Sequence, residues 1–263
     1  MLRQRFVLAA ERMAPRLLFR YRLMKYSSYE PEQILIPYFC DKEHIAIDVG
    51  ANIGLYSGLM VRHAKACHAF EANPYLARQL GRACVPGLTV INAAVSDQAG
   101  ELTLYVPQRT PGLATVEEAH PDASKTGVGP VATMKVKSVR LDDVGFDDVS
   151  FVKIDVEGHE EAVLRGSERM IERNRPFMII ESENRHNAGA VGRVCNFLTS
   201  RDYRCLFLRE SQLLPLADFD EERDQDPRAL ERADGGAAYI NNFIFVPSER
   251  FREFAERCRL VRA

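Results

Sequence analysis

From residue 45 onward, short apolar runs alternate with segments of helical periodicity, and few folds accommodate such an alternation. Apolar runs of this length, separated by helices, are typical of strand-helix-strand units that assemble into a largely parallel sheet. We place strands at 45–49, 66–71, 89–92, 151–155, 177–181, 203–208 and 239–246. We place helices at 55–63, 74–84, 159–165 and 190–200. The sequence therefore predicts an α/β fold built on one doubly wound sheet.

The remaining residues fit extensions and insertions better than a second domain. With 263 residues and 46% hydrophobic content, the chain has enough apolar side chains for one sizeable core. We expect an N-terminal helical extension at 1–40, the α/β domain at 41–247 and a C-terminal helix at 248–263. Within the domain, a loop at 107–130 that is rich in proline and glycine and an acidic insertion at 217–236 interrupt the alternation. We expect both segments to face the substrate.

Charge and composition limit the partners of the chain. With 35 basic and 37 acidic side chains the formal net charge is −2, and a nucleic-acid partner, which requires a basic surface, is not expected. No apolar stretch reaches the roughly 20 residues that span a bilayer. The six cysteines include no pair at the spacing of a zinc or redox site, and charged residues interrupt the N-terminus before a signal-peptide core develops. We therefore expect a cytoplasmic location.

The N-terminal extension carries a second helical pattern with a strong basic bias. Residues 1–30 contain seven Arg or Lys and two Glu. Six apolar residues follow at helical spacing: Phe6, Ala10, Met13, Leu17, Tyr21 and Met24. We expect this stripe to pack on the main domain while the arginines face solvent. The alternative is an interfacial helix that rests on an anionic membrane, which would give residues 1–25 a peripheral membrane contact.

A strand, a glycine turn and a helix follow one another at residues 45–57. Gly50 and Gly54 allow a tight turn and a close approach of backbone to ligand, and the helix that follows, which includes Tyr56, begins with free N–H donors. A dinucleotide site has a second glycine where Asn52 stands here, and the carboxylate of Asp48 would repel a phosphate. Both departures argue against NAD. They favour a ligand with positive charge, such as the α-amino group and sulfonium of S-adenosylmethionine.

The next two strand ends carry the chemistry of a nucleoside site. Glu71, twenty-one residues after Gly50, can accept two hydrogen bonds from the cis-diol of a ribose, and Ala72 follows it. The third strand contributes four residues to the expected adenine slot: Asn92, Ala93, Ala94 and Asp97. We expect the Asp97 carboxylate to accept from the adenine amino group. Three strand ends with matching chemistry are stronger evidence than one glycine turn.

The chain resembles the FkbM family of class I S-adenosylmethionine-dependent methyltransferases. The matching segments are 48–54 (DVGANIG), 70–74 (FEANP), 92–97 (NAAVSD), 139–143 (VRLDD) and 152–160 (VKIDVEGHE). Glu181 and the segment 242–245 fit the later strands, so the resemblance covers roughly residues 40–247. It implies a Rossmann-like, seven-stranded, mostly parallel sheet with helices on both faces and an antiparallel last strand. It also implies methyl transfer, usually to a hydroxyl of a sugar, glycan or secondary metabolite.

Asp155, Glu157 and His159 are the expected catalytic residues. Asp155 closes the fourth strand and should point into the crevice at the carboxyl edge of the sheet, where it can also contact the cofactor. Glu157 and His159 begin the following helix, and histidine has the most suitable ordinary pKa for a base at neutral pH. Carboxylates gathered in one crevice could raise one another's pKa and supply the base instead.

Several alternatives remain open from the sequence. Asp155 and Glu181 could hold Mg²⁺, although we expect no metal. His159 could serve only in packing, and Glu157 could only favour the helix N-terminus through its dipole. A non-catalytic S-adenosylmethionine-binding scaffold or regulator is the second functional hypothesis. An NAD-dependent oxidoreductase is the third, and Asp48 and Asn52 disfavour it.

Overall fold

The main sheet of the computed structural model follows the apolar runs of the sequence. The structure describes residues 13–26, 30–117, 130–185, 187–231 and 239–258. Its strands are β1 (Ile45–Val49), β2 (Ala66–Phe70), β3 (Leu88–Ile91), β4 (Ala94–Val95), β5 (Gly100–Pro107), β6 (Val131–Val139), β7 (Val149–Ile154), β8 (Phe177–Glu181), β9 (Tyr203–Arg209), β10 (Gln212–Pro215) and β11 (Asn242–Pro247). Eight of them form one sheet in the order β10-β9-β11-β8-β7-β1-β2-β3, and β4, β6 and β5 form a smaller one.

The described helices lie before, between and after these strands. They are α1 (Pro15–Tyr26), α2 (Ile36–Phe39), α3 (Leu55–His63), α4 (Pro74–Arg82), α5 (Leu141–Val144), α6 (Glu160–Arg165), α7 (Glu168–Asn174), α8 (Ala190–Thr199), α9 (Glu221–Asp224), α10 (Arg228–Glu231) and α11 (Phe251–Arg257). Short 3₁₀ turns occur at Pro31–Leu35, Pro111–Leu113, Leu216–Asp218 and Ser248–Arg250. None of the described helices has the length and apolar character needed to cross a bilayer.

The sheet topology confirms the predicted α/β fold. Strands β3, β2, β1, β7 and β8 are parallel, and β11 is antiparallel to both of its neighbours, β8 and β9. The seven predicted strands are all present, and β10 adds an eighth by pairing antiparallel with β9. All six residues of β7 are buried, as expected for a central strand covered by helices on both faces.

Two hydrophobic cores occupy the two faces of the sheet. One contains Phe207 and Phe243, and the other contains Phe39 and Phe177, whose rings stack with centroids 4.7 Å apart. The segment just before β1 thereby becomes part of the domain, because Phe39 lies in the second core with 1% of its surface exposed. The carboxyl ends of β1, β2 and β7 are left clear for a site.

The packing of α1 corrects the prediction for the N-terminal stripe. Phe19 and Leu23 are the buried residues of this helix, because Gly58 of α3 leaves room for them: a Cβ atom there would lie 2.5 Å from Leu23 Cδ2. The described members of the predicted stripe instead face outward. Their exposed fractions are 86% for Met13, 66% for Leu17, 52% for Tyr21 and 74% for Met24. Phe6 and Ala10 lie outside the described residues.

Candidate active site

The glycine turn after β1 meets the end of β7 at very short range. Gly50 has φ of +83°, and a Cβ atom added to it would lie 1.7 Å from the carbonyl oxygen of Asp155. The Asp155 N–H donates to the carbonyl of Val49 at 2.9 Å. Glycine is therefore required at this position both for the backbone conformation and for the close approach. The contact places Asp155 directly beside the turn.

Asp48 lies beneath this turn with 2% of its surface exposed. Its carboxylate accepts a hydrogen bond of 2.5 Å from the hydroxyl of Ser57, in the first turns of α3. Burial raises the pKa of Asp48 to about 6, and the hydrogen bond from Ser57 opposes this change. A cationic ligand group at the turn would favour the charged form of this carboxylate.

Glu71 is held by two backbone N–H groups. The N–H of Asn52 donates to Oε2 at 2.6 Å, and the N–H of Asn73 donates to Oε1 at 2.7 Å. Burial raises the pKa of Glu71 to about 7, while the two hydrogen bonds act in the opposite direction. Each carboxylate oxygen can accept more than one hydrogen bond, so both can still receive a donor from a ligand. The amide of Asn92 supports this arrangement by donating to the carbonyls of Glu71 and Ala72 at 2.8 and 3.0 Å.

A cavity of about 590 Å³ opens beside this carboxylate, and we call it the Glu71 cavity. The residues that line it, mostly small or apolar, are Val49, Gly50, Asn52, Phe70, Glu71, Ala72, Leu76, Ala93, Ala94, Val95, Leu104, Pro111, Gly112, Ala114, Thr115, Val116, Asp155, Val156, Glu157 and His159. The described beginning of the loop predicted to face the substrate thus forms one of its walls.

A second cavity, of about 580 Å³, lies on the other side of the turn, and we call it the Lys153 cavity. It is lined by Glu30, Asp48, Gly50, Ala51, Asn52, Ile53, Leu55, Tyr56, Lys153 and Asp155. Gly50, Asn52 and Asp155 line both cavities. A ligand that occupies one cavity can therefore meet a ligand in the other at these three residues.

Sequence reasoning missed two charged residues of the Lys153 cavity. Lys153 is 1% exposed, and its Nζ atom donates to Asn242 Oδ1 at 2.9 Å and lies 4.0 Å from Glu181 Oε2. Burial lowers the pKa of Lys153, but the nearby carboxylates, Asp155 first among them, raise it by more. Glu30, from the extension, accepts a hydrogen bond of 2.8 Å from the hydroxyl of Tyr56. Lys153 occurs within an apolar strand, and this unusual position was the available signal.

Three carboxyl groups at the ends of β7 and β8 have raised pKa values. For Asp155, Glu157 and Glu181 alike, burial is the largest cause, and repulsion from neighbouring carboxylates raises each pKa further. The pKa of Glu157 rises to about 8, with Asp155 the next contributor, and that of Glu181 rises well above its ordinary value. Glu157 lines the Glu71 cavity and has a positive φ of 53°. A carboxyl group with such a pKa can exchange a proton near neutral pH.

His159 connects three elements rather than standing alone at a helix start. Its Nδ1 atom lies 2.6 Å from a carboxylate oxygen of Glu117, and its Nε2 atom lies 2.9 Å from the hydroxyl of Ser96. The side chain is 12% exposed and lines the Glu71 cavity. Both ring nitrogens thus have partners, and the residue links the loop after β5 to the segment that follows β4.

Asp97 and Asn92 lie outside the lining of both cavities. Asp97 accepts from Arg165 Nε at 2.9 Å, and this ion pair, like the hydrogen bonds of Asn92, holds neighbouring segments together. Gly54 also lies outside both linings, and the remaining predicted cofactor residues line one cavity or both. Among the described residues, no group of three or more His, Cys, Asp or Glu is placed to hold a metal ion. The Mg²⁺ alternative at Asp155 and Glu181 therefore gains no support from the donor set.

The fold is that of class I methyltransferases: a large, mostly parallel sheet flanked by helices, with carboxylates at the ends of its first two strands. The chain belongs to the FkbM methyltransferase family, because the model of the methyltransferase FkbM domain matches residues 48–205, more than half of its length. A comparison with curated proteins found no match.

Solved structures provide further likenesses of low sequence identity. Methyltransferase FkbM from Methylobacillus flagellatus KT matches with a TM-score of 0.49 and 13% identity over 88% of this chain and 54% of its own. The present chain thus spans about half the length of that protein. An rRNA methylase from Streptococcus thermophilus matches with a TM-score of 0.45 and 10% identity over 81% of this chain and 90% of the methylase. SMU.1697c from Streptococcus mutans, solved in complex with SAH, matches with a TM-score of 0.43 and 10% identity over 81% of this chain and 93% of that protein.

Proposed function

We propose that the protein transfers a methyl group from S-adenosylmethionine to a hydroxyl group of a sugar, glycan or secondary metabolite. The observation that carries this proposal is the pair of adjoining cavities that share Gly50, Asn52 and Asp155. One cavity has a fixed carboxylate and small residues suited to a nucleoside. The other has charged groups suited to the amino-acid part of the cofactor, so an acceptor would meet the methyl group at the three shared residues, beside Glu157. Methyl transfer requires two ligands to meet at one point, and this arrangement provides it.

The residues present fit this cofactor. Glu71 would hold the ribose diol, and Ala72, Ala93 and Ala94 would line the adenine slot. Asp48 would favour the cationic end of the methionine part, and Lys153 supplies a buried positive charge for its carboxylate. When bound, the cofactor supplies the electrophilic methyl group. SMU.1697c was solved in complex with SAH, which supports the proposal for this fold.

Within this proposal, Glu157 removes the proton of the acceptor hydroxyl. Its pKa of about 8 leaves a useful fraction of carboxylate at neutral pH while keeping that carboxylate basic. His159, held between Glu117 and Ser96, orients the loop that forms one wall of the Glu71 cavity. Positioning of two ligands supplies roughly 7 to 11 kcal/mol of the barrier, whereas a base contributes about 10²- to 10⁴-fold in rate. Alignment at Asp155 should therefore matter more than the base.

The first test is isothermal titration of the full chain with S-adenosylhomocysteine, followed by incubation of the protein with labelled S-adenosylmethionine and pooled cell extract. Binding together with label transfer supports the proposal, and absence of binding to folded protein refutes it. Binding without transfer to any acceptor would favour the non-catalytic scaffold. Tight binding of NADH in place of S-adenosylhomocysteine would favour the oxidoreductase. The cytoplasmic location remains a prediction.

A further inference from the structure

Exposed apolar side chains are concentrated on two neighbouring helices, α1 and α4. Of the seven large apolar side chains that are exposed in the described residues, five lie on α1, just before it, or on α4: Met13, Leu17, Tyr21, Met24 and Tyr75. The two helices pack together, and Arg22 donates to Gln79 Oε1 at 2.7 Å between them. Such concentration is unusual on a protein surface and marks a site of interaction.

The same surface is basic. Arg16, Arg20 and Lys25 of α1 and Arg78 and Arg82 of α4 are all exposed. Neither helix contains an acidic residue. The whole chain has a formal net charge of −2, so this surface departs sharply from the average of the molecule. We call these exposed residues of α1 and α4, together with Met13, the basic-apolar face.

We propose that the basic-apolar face binds the surface of an anionic lipid membrane. Aliphatic side chains such as Leu17 and Met24 gain from entering the boundary between head groups and acyl chains, and tyrosine is favourable at that depth. The arginines and lysine that flank them reach the lipid phosphates while their stems remain in apolar surroundings. Phe19 and Leu23 anchor α1 to the domain, so the helix can bind without leaving its place.

Two other occupants fit the face less well. A second copy of the chain would place the same patch against itself in a symmetric dimer, and basic side chains would then face basic side chains without acidic partners. An RNA would satisfy the arginines, but its phosphates would leave Leu17 and Met24 in water. A membrane satisfies both the charge and the apolar groups.

The test is co-sedimentation of the full chain with vesicles of phosphatidylcholine alone and of phosphatidylcholine mixed in equal parts with phosphatidylglycerol. Binding should occur on the mixed vesicles and weaken as salt is added, because each basic residue near an anionic leaflet contributes about fivefold in affinity. The double variant Arg16→Glu/Arg20→Glu should therefore bind at least about 25-fold more weakly.

The double variant Leu17→Glu/Met24→Glu tests the apolar part. We expect at least about tenfold weaker vesicle binding, since each side chain loses the gain from leaving water. Val144→Glu is the matched control, because Val144 is also an exposed apolar residue, at 43%, but lies on α5. It should bind like the wild type. All variants should retain the circular dichroism spectrum and the affinity for S-adenosylhomocysteine of the wild type, so the test does not depend on methyl transfer.

Four results would overturn the proposal. They are no binding to mixed vesicles, equal binding to both vesicle types, equal loss in Val144→Glu, and wild-type binding by Leu17→Glu/Met24→Glu. If the protein does not bind mixed vesicles but forms a concentration-dependent dimer, and Leu17→Glu/Met24→Glu abolishes that dimer, the face belongs to an interface with a second copy. Binding of RNA that requires Arg16 and Arg20 but tolerates Leu17→Glu would assign it to nucleic acid.

Discussion

Replacing Glu71 by alanine tests the nucleoside site directly. Its two carboxylate oxygens would accept from the two hydroxyls of a ribose, and each bond to a charged acceptor contributes roughly 1.5 kcal/mol or more. Loss of both bonds should therefore weaken binding by about 100-fold, and loss of one by about tenfold. The suitable ligand is 5′-methylthioadenosine, because it has the ribose and the adenine but not the charged amino-acid part. Isothermal titration measures its affinity.

The matched control must disturb the same turn without removing the carboxylate. Asn73→Ala does so, since the Asn73 side chain accepts from the N–H of Tyr75 at 3.0 Å as the cap of α4 and does not line either cavity. Loss of such a cap costs about 1 kcal/mol of stability. We expect Asn73→Ala to unfold at a lower temperature and yet bind methylthioadenosine within about twofold of the wild type, given that it makes no ligand contact.

The affinity should also depend on pH in a defined direction. Because the hydroxyls of the ribose donate, they favour the ionised form of Glu71, whose pKa is about 7 in the folded protein. Between pH 8 and pH 6 the ionised fraction falls about tenfold, and the affinity of the wild type should fall by at most that factor. Glu71→Ala should lack this dependence. Unchanged affinity in Glu71→Ala, or equal losses in Glu71→Ala and Asn73→Ala, would refute the assignment of the ribose to this carboxylate.

Three further predictions follow from backbone geometry and burial. Gly50→Ala should lower the free energy of unfolding, measured in urea, by roughly 3 kcal/mol or more. Gly81→Ala, whose new Cβ atom would have no neighbour within 4 Å, should leave the free energy of unfolding unchanged or raise it. Glu157→Gln should lower kcat by about 10²- to 10⁴-fold on an identified acceptor without changing S-adenosylhomocysteine affinity; an unchanged kcat would remove it as the base. Burial raises the pKa of Glu32 from 4.5 to about 7. Glu32→Gln should therefore stabilise the protein above pH 7 by up to about 3 kcal/mol, and this gain should vanish as the pH falls to 4.5. A gain in stability that does not depend on pH would contradict this reasoning.

The strands and the carboxylates at their ends could be predicted because both depend on local sequence. A parallel strand that is buried on both faces is a short apolar run, and the residue after it necessarily lies at the ligand-binding edge. Glu71 and Asp155 are therefore identifiable by position alone. The family resemblance extended this interpretation to the order and direction of the strands. The eighth strand, β10, was not predicted, because an edge strand of four residues has no strong pattern of apolar residues.

The rest depended on contacts between distant segments. Glu30 approaches Asn242 across 212 positions of sequence, with a donor-acceptor distance of 3.4 Å, and no local pattern indicates that encounter. Helical periodicity likewise reveals that α1 has apolar positions but does not reveal which of them the domain covers. Phe19 and Leu23 are also one helical turn apart, and the small residue Gly58 decides in their favour.

The packing of α1 also has a thermodynamic consequence. A Cβ atom at Gly54 would lie 3.0 Å from a ring carbon of Phe19, so the helix rests directly on the turn beside Asp48 and Asn52. A force that shifts α1 acts on that turn without any intervening element. Coupling between two binding events is reciprocal. If binding of α1 to a membrane changes the affinity of the turn for its ligand by some factor, the bound ligand changes the affinity of the protein for the membrane by the same factor.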